Sequence, residues 1–348
     1  MSIWRKIRRS NFLIKLTSWE YWPFGILQGP VFLYWLVLAA RARSIFFFSA
    51  SNPSILSGGM MGESKSEVLK LVPEEVKPKT TLIKLPATVE SVLDMMRESN
   101  LSFPLIFKPD IGERGWMVRR IDADSDIEQY LKEVRIDFIA QQLVDLPLEF
   151  GVFYIRYPDQ SQGRVTSITM KKFLSVVGDG KRTLRELIHD LDRAKLQWHL
   201  LERRYKNEMA TVLAEGESKE LVSIGNHCLG TTFLNANDRI TPKLNESFDR
   251  ISRQIPGFYF GRYDLRCASF EDLEAGKVMI VELNGCGAEP AHIYHPGSSF
   301  WKAMGTLFAH VHNMYRISAI NHSKGVPYLS FQEGRAIYRR FKALKSGS

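Results

Sequence analysis

Cysteine is scarce in this 348-residue chain: Cys228, Cys267 and Cys286 are widely separated and odd in number. They show no metal-ligand spacing and suggest no disulfide framework, so a reducing compartment suits the chain best. Internal repeats and low-complexity tracts are absent. What remains is one large domain or two intimate ones, long enough to bury a core. Acids are nearly missing from residues 1–50, where seven bases (Arg5, Lys6, Arg8, Arg9, Lys15, Arg41 and Arg43) face Glu20 alone and supply +6 of the net +9. The rest is only mildly basic, so no nucleic-acid partner is expected.

Formal charge is missing altogether from Tyr21 to Ala40, twenty residues reading YWPFGILQGPVFLYWLVLAA. About twenty apolar residues cross a bilayer as a helix. Pro23, Gly25, Gln28, Gly29 and Pro30 crowd the first half, however, and the unbroken apolar part from Val31 to Ala40 has the length of a buried or interfacial helix. A signal peptide does not fit, because no apolar core with a small-residue cleavage site directly follows the bases. An interfacial segment, a buried helix with solvated flanks and a span stay open. Trp4, Trp19, Tyr21, Trp22, Tyr34 and Trp35 favour the interface, so residues 1–50 are expected to contact a membrane peripherally.

A P-loop is lacking too. GGMMGESKS (58–66) resembles one, but Glu63 and Ser64 separate Gly62 from Lys65. Lys65 still stands beside glycines at a helix start, with Ser64 as the expected N-cap and Glu67 three residues on. Periodicity predicts strands at 44–51, within 76–86, and at 103–107, 137–144 and 149–158, and a strand and a turn over 163–181. Further strands are expected near 221–224, 258–267 and 278–283. Helices are expected at 64–72, 88–99, 125–134, about 183–214 and 298–318. Some neighbouring strands could pair directly, so the fold class is α+β or mixed α/β.

In FPLIFKPDIGERGWMVRRI (103–121), a buried strand ends on Lys108 and runs into a turn with Gly112 and Gly115. A lysine at a strand end offers a point charge, and glycines let backbone N–H groups approach an oxyanion. A β-turn with an exposed lysine is the plainer alternative. FYFGRYDLRC (258–267) puts Arg262 and Asp264 on one strand face, and VMIVELNGCGAEP (278–290) does the same for Glu282 and Asn284. Carboxylates inside apolar strands are costly unless they meet a cation or a partner. Asp, Glu and Asn are hard oxygen ligands suited to Mg2+ bridged to phosphates; an ion pair of Arg262 with one acid is the alternative. Lys171 and Lys172 lie on opposite faces of their strand, one of them available to phosphates. VVGDGKRTLREL (176–187) is a tight turn before a helix. His292 and His295 are structural residues, pocket lining or metal ligands.

Taken in order, these pieces resemble the ATP-grasp superfamily over about residues 61–320, especially carboxylate–amine ligases such as D-alanine–D-alanine ligase; VVGDGKRTL resembles a segment of cyanophycin-synthetase-like ligases. The resemblance implies an α+β ATP-grasp fold of two subdomains clamping ATP. Residues 1–60 would form a basic, aromatic extension, 61–325 the ATP-grasp domain with its lid at about 80–140, and 326–348 a C-terminal tail. Lys65, Lys108 and Lys172 would meet ATP phosphates under the Gly112–Gly115 lid. Gln142 to Val144 would offer backbone groups to adenine, and Glu149 would hold the ribose. Asp264, Glu282 and Asn284 would hold two Mg2+ ions, with Mn2+ able to substitute. Arg262 would stabilise a tetrahedral intermediate, and His292 and His295 would line the substrate site.

The implied activity is an ADP-forming ligase that joins a small-molecule or lipid-linked carboxylate to an amine through an acyl phosphate, in the cytoplasm or at the inner face of the membrane. A kinase of the same fold and a non-catalytic nucleotide- or membrane-binding module are the rivals. The chain departs from the pattern in two ways. Only about sixty residues precede Lys65, where many such ligases carry a full α/β domain, and Gln141 or Gln142 replaces the usual acid of the hinge strand.

Overall fold

The computed structural model describes residues 18–346 apart from Pro23, Arg114, 223–224 and 226–229, together with Leu13 and Leu16. The expectations for Trp4, Arg5, Lys6, Arg8, Arg9, Lys15 and Cys228 therefore lie outside the described residues.

Two antiparallel sheets organise the chain. The first has the order β1 (Thr80–Ile83), β4 (Phe138–Gln142), β2 (Leu105–Pro109) and β3 (Arg119–Ile121). Alternation sends Leu105 and Phe107 of β2, and Phe138 and Ala140 of β4, to one face. There they meet Val92 and Met96 of α3 (Val89–Glu98) and Ile127 and Tyr130 of α4 (Asp124–Glu133) in one core. Helix α3 starts where it does because Thr88 and Ser91 cap each other's backbone N–H groups. The opposite face keeps Lys108 and Gln141.

The second sheet has the order β11 (Met279–Asn284), β10 (Phe260–Cys267), β5 (Leu148–Ile155), β6 (Arg164–Lys172) and β9 (Thr232–Asn235). Phe150, Val152, Tyr263 and Leu265 pack on Leu244, Phe248 and Ile251 of α8 (Pro242–Arg253) and on Leu273 of α9 (Phe270–Ala275). The other face divides. Phe153, Ile155 and Phe260 are covered by Leu307, Val311 and Met314 of α10 (Phe300–Ser323) and by Val31 and Leu38 of α1 (Phe24–Ala42). Toward the first sheet the same face turns polar and carries Glu149, Lys171, Arg262 and Asp264.

Between these sheets lies α2 (Lys65–Leu71). The loop before it is pinned to the loop after β11: Cys286 N–H donates to Gly58 O at 2.9 Å and Gly287 N–H to Gly59 O at 2.8 Å. The backbones touch so closely that a Cβ on Gly59, whose φ is +79°, would fall 2.6 Å from Gly285 Cα. Buried Asn52 secures the same loop, donating to Gly58 O and Phe260 O and accepting from Tyr259 and Phe260 N–H.

Several expectations change. Residues 44–51 are not a strand: Phe47–Ser51 is a 3-10 helix, with Phe47 and Phe48 packed on Trp35. The region 183–214 is not one helix but α5 (Leu184–Asp190), α6 (Asp192–Lys195) and α7 (Trp198–Arg204), set against a small sheet of β7 (Leu174–Val177) and β8 (Ser218–Val222). Helix α8 and strand β9 were not anticipated. The C-terminal tail carries α11 (Phe331–Ser346), whose Gly334 lies against the Phe46 ring. Helix α1 incorporates Pro30 and is long and apolar enough to cross a membrane by length and composition. Cys267 and Cys286 are buried free thiols, and burial pushes them up to about 11 and about 12.

Candidate active site

Lys108 points from β2 across the cleft, and its Nζ donates to Val281 O of β11 at 2.9 Å. Gln141 Nε2 reaches the same carbonyl at 3.3 Å. Lys108 is buried, and burial pushes its ammonium down to about 8 although Glu282 pulls it up. A cation held in so dry a place is poised for a strong interaction with an anion.

Lys65 opens α2, whose first turn is held by Ser64 Oγ accepting from Glu67 N–H at 3.1 Å. Asp110, just beyond β2, accepts from Lys65 N–H through its carbonyl at 2.9 Å and from Ser66 N–H through its carboxylate at 2.8 Å. Lys65 Nζ donates to Gly112 O at 2.5 Å. Both lysines thus flank the expected turn, in which Gly115 takes a φ of +74°.

On the second sheet the polar residues form one network. Asp264 Oδ1 and Oδ2 receive the Arg262 guanidinium at 2.9 and 3.0 Å, Lys171 Nζ lies 3.4 Å away, and Asn284 Nδ2 donates at 3.1 Å. Burial alone would raise the Asp264 carboxyl; Arg262 and Lys171 outweigh it and hold the group down at about 2. The buried pair of Arg262 with an acid, an alternative at the sequence level, is therefore present. Arg262 Nη1 also donates to Glu289 O at 3.1 Å. Glu149 sits between Lys171 at 3.0 Å and Arg266 at 3.1 Å, and Gly225 lies against it.

Asp264 and Glu282 are cross-strand partners, as are Arg262 and Asn284, so all four side chains share the cleft face. Glu282 is half-buried, and among the described residues no donor hydrogen-bonds its carboxylate. Glu63 was not singled out in the sequence. Its Oε2 is buried with no hydrogen-bond partner among the described residues, and burial raises its pKa, with Glu282 and Glu113 adding and Lys65 opposing.

One assignment changes. Lys172 is exposed at the end of β6; Lys171 is the lysine facing the acids, because it lies opposite Glu149. The Val144 carbonyl accepts from Arg266 Nη1 at 3.1 Å, and Gln142 pairs through its N–H with Lys79 O at 2.9 Å. That strand end is thus already hydrogen-bonded within the fold. His295 Nδ1 accepts from Asn235 N–H at 3.1 Å. His292 is half-buried, and burial pushes it down to about 4. Arg266 was missed despite a readable signal: it follows Asp264 by two residues on the same strand face.

The N-terminal segment borders this site. Gln28 of α1 and Tyr294 both donate to the Glu289 carboxylate, Tyr294 at 2.8 Å. Glu20 pairs with Arg193 at 2.7 Å, and Trp19 Nε1 donates to Ser298 O at 2.7 Å.

No family model matches the chain, and no curated protein does. Among solved structures it is similar to a bifunctional glutathione synthetase from Pasteurella multocida, at 12% identity over 73% of this chain and 38% of that one, with a TM-score of 0.37. It is also similar to the VanG D-Ala:D-Ser ligase of Enterococcus faecalis, at 14% identity, 73% and 62% coverage and a TM-score of 0.42. For the D-alanine–D-alanine ligase of Bacillus anthracis the values are 13%, 77%, 70% and 0.43. The chain spans well under two thirds of the glutathione synthetase and just under two thirds of the VanG ligase.

Proposed function

We propose that this chain is an ATP-grasp ligase, ADP-forming, that joins a carboxylate to an amine through an acyl phosphate. The observation that carries the reading is Lys108. A buried lysine crosses from the lid-side sheet to the strand bearing Glu282 and Asn284, with Lys65 and Lys171 nearby and no anion of its own within ion-pair distance among the described residues. A fold tolerates a cation so placed when a polyanion is its partner.

The donors suit a hard divalent cation, because Glu282 lacks a hydrogen-bond donor and Glu63 Oε2 is buried and unpartnered among the described residues. Glu282, Asn284 and Asp264 would hold Mg2+, two ions in our reading, with Mn2+ able to replace it. The metal would neutralise charge on the transferring phosphate. Lys65 and Lys108 would grip the phosphates from the lid side and Lys171 from the other. The Gly112–Gly115 turn would exclude water from the reactive acyl group. Arg262 now covers both oxygens of Asp264. The Arg262 guanidinium, beside the residues that would hold the metal, would stabilise the oxyanion that forms as the amine attacks.

Hydroxylamine offered in place of the amine tests this, with candidate carboxylates, ATP and Mg2+. The expected product is a hydroxamate formed in step with ADP, suppressed in Arg262→Lys far more than nucleotide binding is weakened. A stable phosphorylated alcohol, with no hydroxamate from any carboxylate that elicits ADP, would overturn the ligase reading in favour of a kinase.

A further inference from the structure

We propose that α1 and α11 form a docking face for an anionic phospholipid bilayer, on which the protein lies without spanning. Helix α1 is apolar all round, but its two sides behave differently. Leu27, Val31 and Leu38 are buried; Tyr34 stacks edge-on to Phe308 of α10, and its hydroxyl bonds His312 at 2.8 Å. Ile26, Leu33 and Val37, at 56%, 66% and 54% exposed, form a flanking stripe at helical spacing, which exposed Phe32 and Leu36 continue round the side away from α10. Crossing a bilayer would require stripping the inner side from α10, so the exposed stripe alone is available to lipid.

Both ends of the stripe bear groups suited to a headgroup layer. At the N-terminal end, Trp22 packs on Phe300, and the adjacent Trp301 is 80% exposed. At the C-terminal end, exposed Ile45 precedes Phe46, which meets Phe331 at the start of α11. Helix α11 buries Gly334 and leaves Phe331, Arg335, Tyr338, Arg339 and Lys342 exposed along one flank. An apolar stripe ended by tryptophan and by a basic, aromatic helix complements an anionic leaflet in both hydrophobicity and charge. A second copy of this basic chain would bring like charges together, and a soluble acidic partner would leave the apolar stripe uncovered.

Co-sedimentation of the full chain with phosphatidylcholine vesicles, with and without phosphatidylserine, tests the proposal. Binding is expected to the anionic vesicles and to weaken with salt. Neutralising three bases in R335Q/R339Q/K342Q should weaken it about a hundredfold, at roughly fivefold per base. Leu33→Ser with Val37→Ser should weaken it at least about tenfold while circular dichroism stays unchanged, since both side chains already face solvent. Equal binding by the parent and both variants would place any membrane affinity outside this face and overturn the proposal. So would an absence of binding to either vesicle, or a stable dimer in light scattering that L33S/V37S abolishes.

Discussion

Replacing Lys108 with methionine should make the protein more stable and inactive at once. The folded state holds the ammonium at about 8, against an ordinary 10.5, chiefly through burial. That difference corresponds to about 3 kcal/mol working against folding wherever the lysine is charged. Methionine fills similar space but forfeits the bond to Val281 O, worth about 1 kcal/mol. At pH 7 the variant should therefore gain about 2 kcal/mol. The sign depends on pH: a depressed pKa leaves the penalty complete below about 8, shrinking as pH rises and gone above 10.5. There only the lost hydrogen bond remains, and the variant should be the weaker by about 1 kcal/mol. Urea unfolding at neutral and at strongly alkaline pH reads both signs. ATP turnover should fall by at least about 10²–10³ throughout. A variant less stable at pH 7 by an amount that does not change with pH would refute the reasoning, since Lys108 would then be an ordinary structural residue.

Phosphates at Lys108 should restore its charge, so ATP binding near pH 8–9 should take up a proton. Calorimetry in buffers of different ionisation enthalpy would detect it, and uptake persisting in K108M would point to another group. Lys171→Met should lower turnover by about 10²–10³ while Lys172→Met leaves it near the parent value; the reverse order would return the phosphate contact to Lys172. Burial holds His292 down at about 4 and lowers His310 as well. Depressed values give stability that is complete above the ordinary 6.5 and is lost as pH falls toward 4, so His292→Gln should flatten the acid limb of the unfolding curve. An unchanged limb would place the loss in other groups.

Much of the cleft was legible because alternation is local. Knowing that 260–267 and 279–284 are strands is enough to put Arg262 with Asp264 and Glu282 with Asn284. The choice between Lys171 and Lys172 needed more, since alternation gives two faces without saying which one meets the acids; the register that sets Glu149 opposite Lys171 decides it. The phenylalanines at 46–48 have strand composition but find aromatic partners in Trp35 and Tyr315 instead of a sheet edge. Glu63 was hidden for a similar reason. Its neighbours Lys65 and Glu282 come together only when the loop before α2 meets the loop after β11.

That meeting of loops has a mechanical consequence. The contact of Gly58 and Gly59 with Gly285–Gly287 fixes the approach to α2 to the second sheet, while Asp110 grips the first turn of α2 from the first sheet. The two sheets are thus tied near Ser64 to Ser66, beside the bonds that Lys108 and Gln141 make to Val281 O. Lys65 carries that tie on to the turn, since its Nζ donates to Gly112 O. Any change in the angle between the two sheets would have to be taken up by the chain between 72 and 80 and between 142 and 148. Bulk added at Gly59 or Gly285 would then do more than strain a turn: it would reset the angle at which α2 and the first sheet meet the second.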